Sequence, residues 1–225
     1  MLSRKQLMQS ISEDFPDWKE STVSVYLSQL KEEGILISPS RGHYSIGNKK
    51  IYTPYLAADI KRVFKKIQKH FPFAKMCIWD TLWLNHFMRH QLFVNYRVIE
   101  VEKDAADQVF YFLGERNKNV FLNPDEKIFD RYIVNAKDVI IVKNLITEAP
   151  IVELEKISIP TLEKLLVDML IDDALFGSQQ SELGFIYENA LKNYTINILQ
   201  MKRYAVRRNR EQNVKELLDK TKATF

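Results

Sequence analysis

The stretch "LSQLKEEGILISPSRGHYSIG", residues 27–47, decides how the chain begins. A leucine-spaced run reaches Gly34, and glycine commonly closes a helix because it takes a left-handed backbone at no steric cost. Residues 35–37 then read as a short apolar strand, residues 39–42 as a turn, and residues 43–46 as a returning strand. Working outward, Val23, Tyr26, Leu27 and Leu30 form one helical stripe, with Ser21, Ser24, Val25, Ser28 and Glu32 round the other side. Ser21 or Asp17 is placed to cap that helix. Further upstream, Leu7, Ile11 and Phe15 share a face of an earlier helix, which Pro16 and Asp17 interrupt.

Two helices and a two-stranded hairpin in under 50 residues follow the plan of a winged helix-turn-helix. In that plan the second helix offers Ser24, Ser28 and Gln29 to base edges. Ser21, Thr22, Lys31, Ser40, Arg41, His43, Lys49 and Lys50 are placed for phosphates, with the hairpin tip also within reach of a minor groove. Trp18 or a later helix is needed to cover the open side of so small a core. The first 50 residues hold seven Lys/Arg against six acids, so one copy attracts a polyanion weakly. A homodimer or a second basic segment would strengthen it. A protein-interaction module is the alternative use of the same unit.

Residues 57–70 predict a helix, residues 74–80 a buried strand and residues 81–89 a helix. "FVNYRVIEVE" alternates as a half-buried strand, with Val94, Tyr96, Val98 and Glu100 on one face. Further helix and strand patterns follow, and "IVELEKISI" reads as one strand or a tight pair. The segment "SIPTLEKLLVDMLID" starts a helix with Ser158 as its cap, and helical patterns continue to the end. The expected fold class is α/β (α+β): a winged helix-turn-helix over 1–48, a connection over 49–56, and a mixed α/β domain over 57–225 whose C-terminal part is helical.

Charge is unevenly spread across the 225 residues. Residues 201–225 carry eight Lys/Arg against three acids, a local excess of five, so the remaining 200 residues are nearly balanced at minus one. Lys202, Arg203, Arg207, Arg208 and Arg210 form an accessory basic tail for a polyanion. Residues 61–75 hold six Lys/Arg and no acid, whereas residues 148–188 hold nine acids and two lysines. The lone Cys77 cannot form an internal disulfide. The start lacks the apolar core of a signal peptide, and no window reaches the ~20 apolar residues of a spanning helix, so a cytoplasmic location without membrane contact is expected.

Catalytic patterns are sparse. P-loop, glycine-rich nucleotide and zincin motifs are missing, and neither cofactor nor metal is expected. His86 and His90 are spaced i, i+4 but lack a third ligand at motif spacing. Asp80, Glu100, Glu102 and Lys103 sit at strand ends in an order that a metal-dependent nuclease would use. A nuclease carrying a winged recognition unit is therefore a second reading.

The wing "GILISPSRGHYSI" and the segment "ISIPTLEKLLVDML" resemble the AbiEi-type antitoxins, transcriptional regulators of abortive-infection (type IV) toxin–antitoxin systems. The likeness rests on "SRGHY" at residues 40–44 and on Pro160, Thr161, Lys164 and Asp168, with Lys164 best matching the family's basic position. The resemblance implies a repressor of its own promoter, bound to inverted repeats in double-stranded DNA. It implies a C-terminal domain that opposes a nucleotidyltransferase-like toxin without a stable complex, and a chain that is not itself an enzyme.

Overall fold

The computed structural model describes residues 2–32, 35–47 and 50–222. Gly34 and Lys49 lie outside them. The architecture is mixed α/β, with an N-terminal helix-and-strand region and a more helical C-terminal part.

The N-terminal region starts with a strand that the sequence pattern is too short to announce, β1 (Leu2–Ser3). Ser3 then caps α1 (Arg4–Asp14) in a reciprocal capping box with Gln6. Helix α2 (Glu20–Glu32) follows, then β2 (Leu36–Ser40) and β3 (His43–Ile46). The three strands form one antiparallel sheet in the order β1-β3-β2. Arg41 and Gly42 make the hairpin turn, with Gly42 at φ 74, where any L side chain would be strained. Val23, Leu27, Leu36 and Tyr44 form a separate small core, with Leu7, Met8, Ile11 and Leu30 packed against it.

Two expectations are corrected here. Tyr26 does not join the packing stripe; it is 47% exposed and stacks on Trp18, which stacks on Phe15. Trp18 therefore does not close the small core. Of the two covers the sequence offered, the later helix is the one that comes near, with Ile198–Arg207 beside β2, and β1 pairs with β3 to extend the sheet.

The larger core begins with α3 (Ala58–His70), which buries Ile60, Phe64 and Ile67, and continues into β4 (Met76–Asp80). A tight 3-10 segment, Thr81–Phe87, stands where an α-helix to residue 89 was expected. Then come β5 (Tyr96–Val101), α4 (Lys103–Gly114), β6 (Val120–Leu122), the single turn α5 (Glu126–Ile128) and β7 (Val139–Asn144). The sheet runs β4-β5-β7-β6, with β4 antiparallel to β5 and the other three mutually parallel. Strand β5 is buried on both faces rather than half-buried, as a central strand with a parallel neighbour should be. Arg97, half-buried and paired with Asp59, supplies the polar beat.

Strands β8 (Ile151–Leu154) and β9 (Ile157–Pro160) form a tight pair, turned by Glu155 and Lys156, both left-handed. Ser158 pairs within that hairpin, so the cap of α6 (Leu162–Asp168) is Thr161, not Ser158. All seven residues of α6 are buried. The short α7 (Asp173–Phe176), then α8 (Leu183–Asn193), α9 (Ile198–Arg207) and α10 (Glu211–Lys222), complete the chain. Met201, Tyr204, Ala205, Val214 and Leu218 join the large core, so the basic C-terminal segment is packed helix. Among the described residues, no helix is long and apolar enough to cross a membrane.

Candidate nucleic-acid interface

The small core holds one side of α2 inward and leaves the other free. Ser21, Thr22, Ser28, Gln29 and Lys31 are exposed. Ser24 is half-buried and accepts a hydrogen bond from Arg4 Nη2 at 3.2 Å, so it is tied to α1. Lys31 Nζ stands 6.0 Å above the Tyr44 ring. At the hairpin tip Ser40, Arg41 and His43 are all exposed. The ring Nδ1 of His43 lies 3.3 Å from the Arg41 carbonyl, and Ser38 Oγ donates to the carbonyls of Ser40 and His43. The tip is thus braced from within by one serine.

Lys50 belongs elsewhere. Its amide donates to the Asn193 carbonyl, and its own carbonyl accepts from the Thr195 amide, which pins the connection to the turn before α9. Cα atoms of α9 come within 8 Å of β2. The five tail cations separate at this point. Lys202 and Arg203 are exposed and have no acidic partner among the described residues. Arg207 pairs with Glu148, Arg208 turns inward to Asp168, and Arg210 is half-buried and donates to the Asn209 carbonyl.

Asp168 leads to a second polar assembly. Lys164 is fully buried, with Nζ 2.5 Å from Glu100 Oε1 and 2.6 Å from Asp168 Oδ2. Trp79 Nε1 donates to the same Glu100 oxygen at 2.8 Å, and the Tyr204 hydroxyl donates to Asp168 Oδ1 at 2.9 Å. Burial works against the lysine charge, but Asp168 and Glu100 outweigh it and hold the Lys164 pKa well above its ordinary value. Burial likewise pushes the Tyr204 phenol up. Every member of this assembly has a partner, which is the condition under which buried ions are tolerated. Pro160 closes β9 and Thr161 caps α6, so the four residues "PT..K...D" build the helix that delivers Lys164 and Asp168.

The acids of the nuclease reading do not converge. Asp80 pairs with Arg97 and Cys77 with Glu100, so the two carboxylates sit at opposite ends of the β4–β5 ladder. Asp80 caps the Thr81–Phe87 segment through the Leu82 amide, and burial raises its pKa. Glu102 accepts from the Lys75 amide, and Lys103 is exposed at the start of α4. His86 packs among Tyr52, Phe87 and Tyr194, whereas His90 lies beyond the 3-10 segment beside Glu182. Cys77 is free and fully buried, and burial pushes its thiol up. Among the described residues, no group of three or more His, Cys, Asp or Glu could hold a metal ion.

The sequence of the family of unknown function DUF6577 matches residues 22–224. The chain belongs to that family. In this DUF6577 member the matched region takes in most of α2, the hairpin, the sheet and the terminal helices, while α1 precedes it. No curated protein matches the chain. Two features of this DUF6577 chain escape sequence reasoning: the Arg4–Ser24 bond and the junction of Glu100 with α6. Only the i, i+4 spacing of Lys164 and Asp168 offered a hint of the second.

Proposed function

We propose that this chain is a DNA-binding transcriptional regulator whose N-terminal region, residues 1–48, acts as a winged helix-turn-helix. The observation that carries the reading is the exposed hydroxyl-and-amide face of α2 beside a hairpin tipped by Arg41. That pairing suits a helix in the major groove and a ribbon on the backbone. Ser28 and Gln29 are its base-reading residues. Arg41 and His43 serve the backbone, and Lys202 and Arg203 on α9 add charge near β2. Bound as a homodimer to promoter inverted repeats, it would repress its own operon. The likeness to AbiEi-type antitoxins supports a cytoplasmic regulator, not an enzyme, whose larger domain opposes a nucleotidyltransferase-like toxin.

Mobility shifts with the DNA upstream of its gene, at about 50 and 200 mM salt, test this. Binding should weaken steeply with salt. Arg41→Ala should lower affinity for operator and random DNA alike and make the salt slope shallower by about one unit. Absence of any shift at the lower salt would overturn the reading. The exposed Phe15–Trp18–Tyr26 stack favours a second use of the same region, as a protein-interaction surface. Retained DNA binding by Trp18→Ala with loss of dimer would assign the stack to self-association.

A further inference from the structure

A pocket of ≈ 240 Å³ opens where the three parallel strands end. Glu100 lies near the end of β5, Asn123 directly follows β6, and Lys143 and Asn144 close β7. Asp168 and Asp172, Tyr204 and Arg208, and the indole of Trp79 complete the wall. Open α/β sheets bind ligands at this edge, because loops diverge there and leave a crevice. The volume is on the scale of a small metabolite.

The wall contains an unequal set of unused hydrogen-bonding groups. The charges of its acids are balanced, though acceptor capacity remains: Glu100 by Lys164 with Trp79 bonded to it, Asp168 by Lys164 and Arg208 with Tyr204 bonded to it, and Asp172 by Lys143. The donors are not used up. Arg208 has five N–H groups, and its Nε, buried and 3.1 Å from Asp168 Oδ1, makes no well-directed hydrogen bond. Lys143 has two further protons beyond its Asp172 contact. The carboxamide nitrogens of Asn123 and Asn144 have no partner among the described residues, since Asn123 uses only its Oδ1, on the Asn144 amide. Asn123, exposed and at φ 43, a left-handed turn that asparagine adopts readily, stands at the rim. The charges of both cations are balanced by Asp172 and Asp168, so it is the unused N–H groups of Lys143, Arg208 and the carboxamides that suit an oxyanion, as hydrogen-bond donors. The remaining acceptors, on Asp172, Glu100 and Asn144, select hydroxyl groups.

We propose that this pocket binds a small hydroxylated oxyanion, a polyol carrying one phosphate or one carboxylate. The oxyanion meets Arg208, Lys143 and the two carboxamides, and the hydroxyls meet the acids. The inference does not rest on DNA binding. Calorimetric titration of the full chain with ribose 5-phosphate, gluconate, ribose and inorganic phosphate tests it, with tryptophan emission from Trp79 as a second readout. Binding of ribose 5-phosphate alone assigns a phosphate source, and binding of gluconate alone a carboxylate source. Asn144→Ala and Arg208→Ala should each weaken the bound probe about tenfold, with melting curves confirming folded variants. No binding of either polyol anion to the folded chain overturns the proposal. So does phosphate binding that both variants leave unchanged, which would mark an adventitious ion only.

Discussion

Lys164 occupies the least forgiving position in the molecule. Its ammonium lies within 2.6 Å of two carboxylates in a fully buried setting, so its removal leaves Glu100 without a cation and Asp168 with Arg208 alone. Lys164→Ala should destabilise the chain by about 3–5 kcal/mol, because unpaired buried charges retain their full desolvation cost. Adding Glu100→Gln to Lys164→Met should recover part of that loss. Urea denaturation of the single and double variants measures both, and equal midpoints for wild type and Lys164→Ala would refute the assignment. Half of this cluster was legible in the sequence. The i, i+4 pair in "LEKLLVD" lies within one helix, whereas Glu100 is 64 residues away, and no local pattern announces a pairing set by sheet and helix packing.

At the scale of elements, periodicity located the helices and strands but not what covers them. The stripe on α2 was right for Val23 and Leu27 and wrong for Tyr26, because a helical period gives a face and says nothing of how wide the covering surface is. Ser158 read as a cap because nothing in "SIPTLE" reveals that β9 takes that serine first. The basic segment shows the same limit. Composition displayed five cations, yet Arg207 and Arg208 answer acids far upstream, which leaves Lys202 and Arg203 outermost on α9. In the proposed reading, Lys202→Ala with Arg203→Ala should flatten the salt dependence of DNA binding while leaving the footprint unchanged. Ser28→Ala should do the reverse, relaxing sequence preference more than affinity. A footprint identical to wild type would remove Ser28 from base reading.

For the whole molecule, several buried groups push stability in the same direction with pH. Burial raises the phenols of Tyr52, Tyr187 and Tyr204 and the thiol of Cys77; for Lys164 burial opposes the charge, but Asp168 and Glu100 prevail and raise it too. The unfolded chain surrenders these protons near their ordinary values, about 8.5 for Cys, 10 for Tyr and 10.4 for Lys, while the folded chain keeps them. Their contribution is therefore complete below those values and is lost as pH climbs toward the raised folded ones. Thermal midpoints should be flat to about pH 8 and fall steeply by about pH 11. Tyr187→Phe, which removes one of the buried phenols, should soften that fall. A midpoint constant across the range would contradict the burial of these groups.

The two apolar cores differ greatly in size, and that difference sets an order of opening. Val23, Leu27, Leu36 and Tyr44 anchor the smaller one, whereas α6 has no residue facing solvent. Amide hydrogens of α1, α2 and the hairpin should therefore trade with deuterium through local fluctuations, while those of α6 wait for global unfolding. Mass-spectrometric exchange would reveal the gradient, and equal protection at both ends would deny it. The surface proposed to grip a duplex is thus also the one most easily loosened, so a bound partner would slow exchange there first.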